Sequence, residues 1–284
     1  MVYIRANGVV LNIEVRGRGE PVVLIPDLGE NLTTWCFQAG TFGGLHFIMQ
    51  VDNRGSGWSD CPEDCSIENM ASDIISLMDL IGVDRAHLVG QGLGGMIAQE
   101  VAVRRPGRVN GMVLVSTSAR VTEEQRLVLG ALIDAAGRGG DLRTLSAAML
   151  PWLYSPWFIE NDHWREYVMR ARAASYRRTS WEGAERQLRS MRQYDSSERL
   201  GSIRSPVLVI GGSDDLLTPP PCSEELAAGI VNAQCCQMDA GHMLQVERPR
   251  TFNQTVLSFL AGVEGGAAPD LGTGMPIPFG GLGV

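Results

Sequence analysis

The sequence predicts an α/β protein: a mostly parallel central sheet flanked by helices, with an inserted helical cap. Three observations carry this. Short β-rich runs alternate with amphipathic stretches over the first 120 residues, the β signal vanishes between Arg120 and Leu200, and the alternation resumes at Pro206. Strands and helices alternating at this spacing form a parallel sheet covered on both faces. A chain of 284 residues is ample for one such core. The expected division is 1–119 and 201–262 for the core and 120–200 for the cap. A flexible tail is expected over 263–284, where seven Gly and three Pro leave no amphipathic period.

In chain order, Val9 to Val15 and Val22 to Ile25 read as strands, the second as an almost continuous apolar run of the kind buried on both faces. Phe47 to Val51 is another strand, followed by the polar turn Asp52 to Gly57. Ile67 to Ile81 has helical period and is closed by Gly82. His87 to Val89 reads as a strand, Gly90 to Gly95 as a glycine-rich turn, Met96 to Arg105 as a helix stopping before Pro106, and Met112 to Val115 as a strand. The segment from Arg120 to Leu200 is helical in pattern and holds nine of the eighteen aromatic residues. Pro206 to Ile210 returns to strand, with a helix around Glu224 to Gly229, a short strand near Gln234 to Met238 and a helix from Thr251 to Leu260.

All 24 basic residues are Arg; without a Lys there is no Schiff-base amine and no phosphate-loop lysine. The net charge of −8 argues against a nucleic-acid surface. No stretch has the length and apolarity of a membrane span, and the first residues lack the apolar run of a signal peptide, so the expectation is a cytoplasmic protein that binds neither membrane nor nucleic acid. The six Cys show no paired Cys-x-x-Cys spacing; Cys61 and Cys65 alone are weak evidence for a metal, and none is expected.

Loops that follow strands of an open α/β sheet gather at its carboxyl edge, where ligands bind. Four such loops carry chemistry: Pro26-Asp27-Leu28-Gly29, Gly90 to Gly95, Gly211 to Asp215, and Ala240-Gly241-His242. Their order and spacing resemble the α/β-hydrolase superfamily, in particular the small capped enzymes that include meta-cleavage-product hydrolases, enol-lactonases and non-haem haloperoxidases. The resemblance runs from about Tyr3 to Leu260. It implies that Asp52 to Asp60 is the turn after the fourth strand, that Gly212 to Pro219 is the catalytic-acid loop with Asp215 as the acid, and that Gly241 to Pro249 is the histidine loop with His242 as the base. It further implies that the backbone N–H groups of Leu28 and Leu93 form an oxyanion hole, and that Gln91, Trp152 and Trp157 stand near the substrate pocket between elbow and cap.

Two departures qualify the resemblance. The family's nucleophile elbow, Gly-x-Ser-x-Gly, is here Gly90-Gln91-Gly92-Leu93-Gly94, so the nucleophile position is Gly92, which has no side chain to attack anything. Where the family usually has His-Gly after the third strand, this chain has Pro26-Asp27. An ionised Asp27 opposes an oxyanion; in an apolar pocket it serves as proton donor or base, and on the surface it caps the helix that follows. Asp215 with His242 remains a general acid/base pair that needs no nucleophile. His46 and His87 read as structural, His163 as exposed or hydrogen-bonded, and Arg165, Arg170, Arg172, Arg177 and Arg178 as a solvated face. Ser116 and Ser118 are poor substitute nucleophiles because no elbow holds them.

The function expected is that of a small-molecule enzyme without a Ser nucleophile, in which His242 and Asp215, with Asp27, act on a carbonyl-containing apolar or aromatic substrate by C–C or lactone cleavage, elimination or cyclisation. Two other readings stay open. One is a non-catalytic ligand binder on the same fold; the other is an esterase- or lactonase-type serine hydrolase whose Ser was replaced by Gly92. No cofactor is expected, because the Gly90–Gly95 run sits in an elbow context and not in a dinucleotide-binding one. The partner is a small molecule, and a homodimer is left open.

Overall fold

A computed structural model describes residues 2–176 and 179–266. Among them one eight-stranded sheet is formed by β1 (Val2–Ala6), β2 (Val9–Arg16), β3 (Pro21–Ile25), β4 (Phe47–Val51), β5 (Ala86–Gln91), β6 (Val109–Val115), β7 (Val207–Gly212) and β8 (Ala233–Met238). The order is β1-β2-β4-β3-β5-β6-β7-β8; the β1–β2 and β2–β4 pairs are antiparallel and the other five parallel. The first strand is absent from the sequence reading although its signal is present: Asn7 and Gly8 take φ of +47° and +84°, which closes β1 and β2 through a two-residue hairpin turn.

Period-two alternation divides the central strands between two cores. Val23, Ile25, Leu88, Met112, Leu114, Val207 and Val209 pack with α2 (Ile67–Leu80), α3 (Leu93–Arg104) and α9 (Pro220–Gly229). Val22, Leu24, Val89, Val113, Val115, Leu208 and Ile210 pack with α1 (Cys36–Gly43) and α11 (Pro249–Glu264) on the opposite face. Each fully buried side chain of this kind contributes roughly 1.5–3 kcal/mol, so the sheet is a rigid support for its loops. The helix α1 was not expected; its two glycines and lack of charge mask its period. His46 and His87 are buried beneath the end of α11, with Nε2 atoms 3.0 and 3.4 Å from Glu264.

Two boundaries differ from expectation in ways that matter below. The glycine-rich turn shrinks to Gly92, because β5 runs through Gln91 and α3 begins at Leu93. Gly94 is instead a packing glycine: a Cβ there would lie 2.1 Å from the Ile25 carbonyl oxygen. At the other end, α11 continues through Glu264, two residues into the stretch expected as tail; 267–284 lie outside the described residues, as do Arg177 and Arg178.

Between β6 and β7 lie α4 (Glu123–Gly137), α5 (Leu142–Leu153), α6 (Pro156–Glu160), α7 (Asp162–Tyr176) and α8 (Trp181–Met191). Ser and Thr caps start several of these; Thr122 and Gln125 form a reciprocal capping box at α4, and Ser180 accepts from the Gly183 N–H at α8. Met149, Leu150, Leu153, Tyr154, Phe158 and Val168 share an apolar cluster with Leu217 and Met243, from the loops after β7 and β8. The helical block therefore rests on the loops that carry Asp215 and His242. No helix among the described residues is long and apolar enough to cross a membrane.

Candidate active site

Parallel strands deliver the loops after β3, β5, β7 and β8 to one edge of the sheet. Asp215, in the loop after β7, is buried and fixed by its own turn. Its Oδ1 accepts from the Leu217 and Thr218 amides at 2.9 Å each, and its Oδ2 accepts from the Thr218 hydroxyl at 2.5 Å. This leaves Oδ2 at 2.9 Å from Nδ1 of His242.

His242 sits in the loop after β8 and is buried. Glu247, the last residue of α10 (Leu244–Glu247), secures that loop: one carboxylate oxygen accepts from the Gly241 and Ser155 amides at 2.8 and 3.1 Å, and the other from the Ser155 hydroxyl at 2.5 Å. Gln91, expected in the pocket, lies beneath the loop instead. It donates to the His242 carbonyl at 3.3 Å and accepts from Gln245 at 2.6 Å, so it positions backbone and is not on the wall of the cavity that Asp27 lines.

Asp27 completes the cluster and points inward. Its loop is held by the Asn53 side chain, which donates to the Pro26 carbonyl at 3.0 Å, and by Gln187 of α8, which accepts from the Gly29 amide at 3.0 Å. Oδ1 of Asp27 accepts from the Leu28 and Leu93 amides, both at 2.7 Å. Oδ2 lies 3.1 Å from Nε2 of His242. Leu93 opens α3, so its N–H carries the positive end of the helix dipole towards the carboxylate. The two amides expected to form an oxyanion hole do converge, but on this chain's own carboxylate.

Both nitrogens of His242 thus face carboxylates. Burial alone would push the imidazole down; Asp215 first, then Asp27, outweigh it and hold the group up at about 10. The ring is an imidazolium at neutral pH, donating one N–H to each carboxylate.

Gly92 makes this arrangement sterically feasible. It takes φ +50° and ψ −116°, where L side chains are rarely found. A Cβ there would stand 1.9 Å from Oδ1, 2.2 Å from Cγ and 2.5 Å from Oδ2 of Asp27. The Asp27 carboxylate fills the space that a side chain at 92 would need.

Asp27 forms part of the wall of a cavity of about 50 Å³ under the helical block, lined mainly by apolar groups such as Leu28, Leu129, Ile133, Met149, Trp181 and Met243. Trp152 and Trp157 are not on that wall. Trp152 packs into the cluster beneath α5, and Trp157 is exposed with the Arg248 guanidinium 4.2 Å from its ring centre. Arg172 departs from the solvated face expected of it. It is buried on the cavity wall, 3.0 Å from Glu30 and 3.2 Å from the Tyr176 hydroxyl, and its Nε has no partner. Arg170 is exposed, as is His163, which meets the edge of Trp164. Ser116 and Ser118 are buried away from the cavity, and Ser118 donates to the Arg120 carbonyl.

Sequence reasoning missed Thr218, Gln187, Glu247, Arg172 and its partner Glu30. The first two could have been suspected only weakly, Thr218 from its place three residues after an Asp. The others depend on contacts across the fold that no local pattern announces. No group of three or more His, Cys, Asp or Glu among the described residues is arranged to hold a metal.

A sequence profile described as the alpha/beta hydrolase fold matches residues 20–249. The chain is 30% identical over 268 residues to a Variovorax paradoxus protein named carbamate hydrolase RutD, covering 91% of this chain and 99% of that one. It is 28% identical over 254 residues to 3-oxoadipate enol-lactonase 2 of Acinetobacter baylyi, covering 88% and 93%. Among solved structures, the enol-lactonase of Burkholderia xenovorans LB400 superposes with a TM-score of 0.84 at 28% identity, covering 92% of this chain and all of that one.

Proposed function

Because the chain belongs to the alpha/beta hydrolase fold family, we propose that it is a small-molecule enzyme of hydrolytic type, in which Asp215, His242 and Asp27 carry the chemistry without a serine. The observation that carries this is the bridging position of the Asp27 carboxylate, between Nε2 of His242 and the amides of Leu28 and Leu93. The relatives named for carbamate and enol-lactone hydrolysis support water as the second substrate.

Asp215 orients the ring and stabilises its charge, as a buried carboxylate does for a catalytic imidazole. The imidazolium is the proton store. It can give that proton to a bound molecule and take one back from water, which is general acid–base catalysis worth about 10²–10⁴-fold. The apolar lining of the cavity suits an apolar or aromatic small molecule once the helical block gives way to admit it.

The carbonyl reactions expected from sequence need amide donors for the carbonyl oxygen. With Leu28 and Leu93 engaged by Asp27, such a reaction has to swing Asp27 out of the way. Chemistry that puts no oxyanion on the substrate needs no such movement of Asp27.

A ligand binder without turnover is the second reading, favoured by the closure of both ring nitrogens by carboxylates. A panel of small esters, lactones, carbamates, diketones and epoxides separates the two. Turnover of at least one class, reduced about 10²-fold or more by His242→Ala, is the expected result. Equal rates in wild type and variant, or thermal stabilisation by these compounds with no turnover, would discard the catalytic reading.

A further inference from the structure

The two oxygens of Asp27 are held differently, and the difference has a chemical meaning. Oδ1 is locked between two amides at 2.7 Å, whereas Oδ2 has only the imidazole at 3.1 Å and belongs to a carboxylate on the cavity wall. One imidazole nitrogen and two converging amides are what an attacking oxygen and the oxyanion of its ester require. The side chain stands in the space that Gly92 leaves open. We infer that Asp27 is itself the nucleophile, delivered from the loop after β3, and that its electrophile is the saturated carbon of a strained cyclic ether, an epoxide. This rests on the reading above, that Asp27, His242 and Asp215 form a working site.

Attack on an acyl carbon would create an oxyanion on the substrate, and the amides that would receive it are already taken. Attack at a saturated carbon creates none. Oδ2 forms a bond to the carbon, the strained C–O bond breaks with its electron pair, and the released alkoxide is protonated at the expense of the His242 imidazolium. The product of this step is an alkyl ester of Asp27 beside a neutral imidazole. Esterification also removes one of the two carboxylates that held the proton on His242, so the ring becomes the base that the next step needs. Neutral His242 takes a proton from water as the water oxygen attacks Cγ of Asp27. The oxyanion then forms on Oδ1, where the Leu28 and Leu93 amides already stand. Collapse breaks the bond between Oδ2 and Cγ, releases the diol as its oxygen takes up the water's remaining proton, and restores the Asp27 carboxylate and the imidazolium. The sum is epoxide plus water to diol, with the His242 proton lent and returned.

This proton count also selects the electrophile. A halide leaves as an anion, takes no proton, and would leave His242 charged when a base is wanted. Across the cavity wall, the buried Arg172 keeps Nε without a partner, a donor of the kind an ether oxygen accepts from.

Isotope tracing decides the matter on the wild-type protein. With enzyme in excess over 1,2-epoxybutane in ¹⁸O-water, the first diol should carry no label and the peptide containing Asp27 should gain one ¹⁸O. Acid quenching during the first turnover should trap the ester as an adduct of one epoxide on Asp27, and Asp27→Asn should abolish that adduct with the far-ultraviolet circular dichroism unchanged. Label in the diol with none in Asp27 would overturn the nucleophile while leaving the acid–base reading intact. Absence of both diol and adduct would overturn the assignment of an epoxide to Asp27, and the substrate panel would judge the wider reading separately.

Discussion

The site has two halves built on different logic. On one side, the loops after β7 and β8 hold Asp215 and His242 at 2.9 Å; Asp215 is fixed by amides of its own loop, and the His242 loop by Glu247 through the Gly241 amide. On the other, the loop after β3 and the turn after β5 are complementary in volume: Asp27 occupies what Gly92 leaves open, and neither position makes sense alone. The first half depends on local sequence and tolerates a change elsewhere. The second is a pair, so a change at either member has to be read through the other.

The largest effect should come from the first half. Asp215→Asn keeps the shape but removes the charge that holds the imidazole in place, and should lower turnover ~10⁴-fold with little change in KM, measured by steady-state kinetics on whichever substrate the panel yields. In the second half, Gly92→Ser alone should be inactive towards an activated acyl ester and less stable by about 1–3 kcal/mol in urea denaturation, because its Cβ collides with the Asp27 carboxylate at a positive φ. Combining Gly92→Ser with Asp27→Gly removes the collision and frees the Leu28 and Leu93 amides. That double variant should regain the part of the stability lost to the collision and show a burst of acyl-enzyme. If the single variant already shows the burst, the two positions are not coupled as described.

Arg172→Met tests the cavity wall. It leaves Glu30 largely buried without its cation and should cost about 3 kcal/mol, read as a lower urea midpoint at unchanged slope. The imidazolium gives a smaller, pH-dependent effect. A histidine raised from 6.5 to about 10 on folding stabilises the native state fully below pH 6.5 and loses that contribution as pH climbs through 10. The melting temperature should therefore fall between about pH 6.5 and 10, and Asp27→Asn should bring that fall to an end at lower pH. Least of all, Trp157→Ala removes an exposed cation–π contact with Arg248, worth about 0.5–1 kcal/mol, and should leave turnover unchanged.

The same division explains what was legible beforehand. Period-two alternation and glycine punctuation sufficed for most of the sheet, because strands buried on both faces announce themselves in runs such as Val22 to Ile25. The antiparallel β1 is half exposed and lacks such a run, although Asn7-Gly8 marks its turn. Asp215 and His242 were legible because their loops resemble those of a known family over several consecutive residues. Where Asp27 points was not, since that depends on the free volume above a glycine 65 positions away. The aromatic count near α5 and α6 could not show which side chains face inward, so Trp152 and Trp157 were expected where Trp181 and Tyr176 stand. Arg172 reads as one more charge on a basic helix until Glu30, from a distant loop, is placed against it.

The hydrogen bond from the Gly29 amide to Gln187 has a mechanical consequence. A space of about 50 Å³ accommodates one or two waters, so any larger guest has to prise the helices apart. The α8 helix cannot lift freely, because Gln187 also grips the Arg54 carbonyl and the Ser56 hydroxyl, and through Gly29 it tugs on the strap carrying Asp27. Admission of the guest and aiming of the carboxylate are thereby geared to a single displacement.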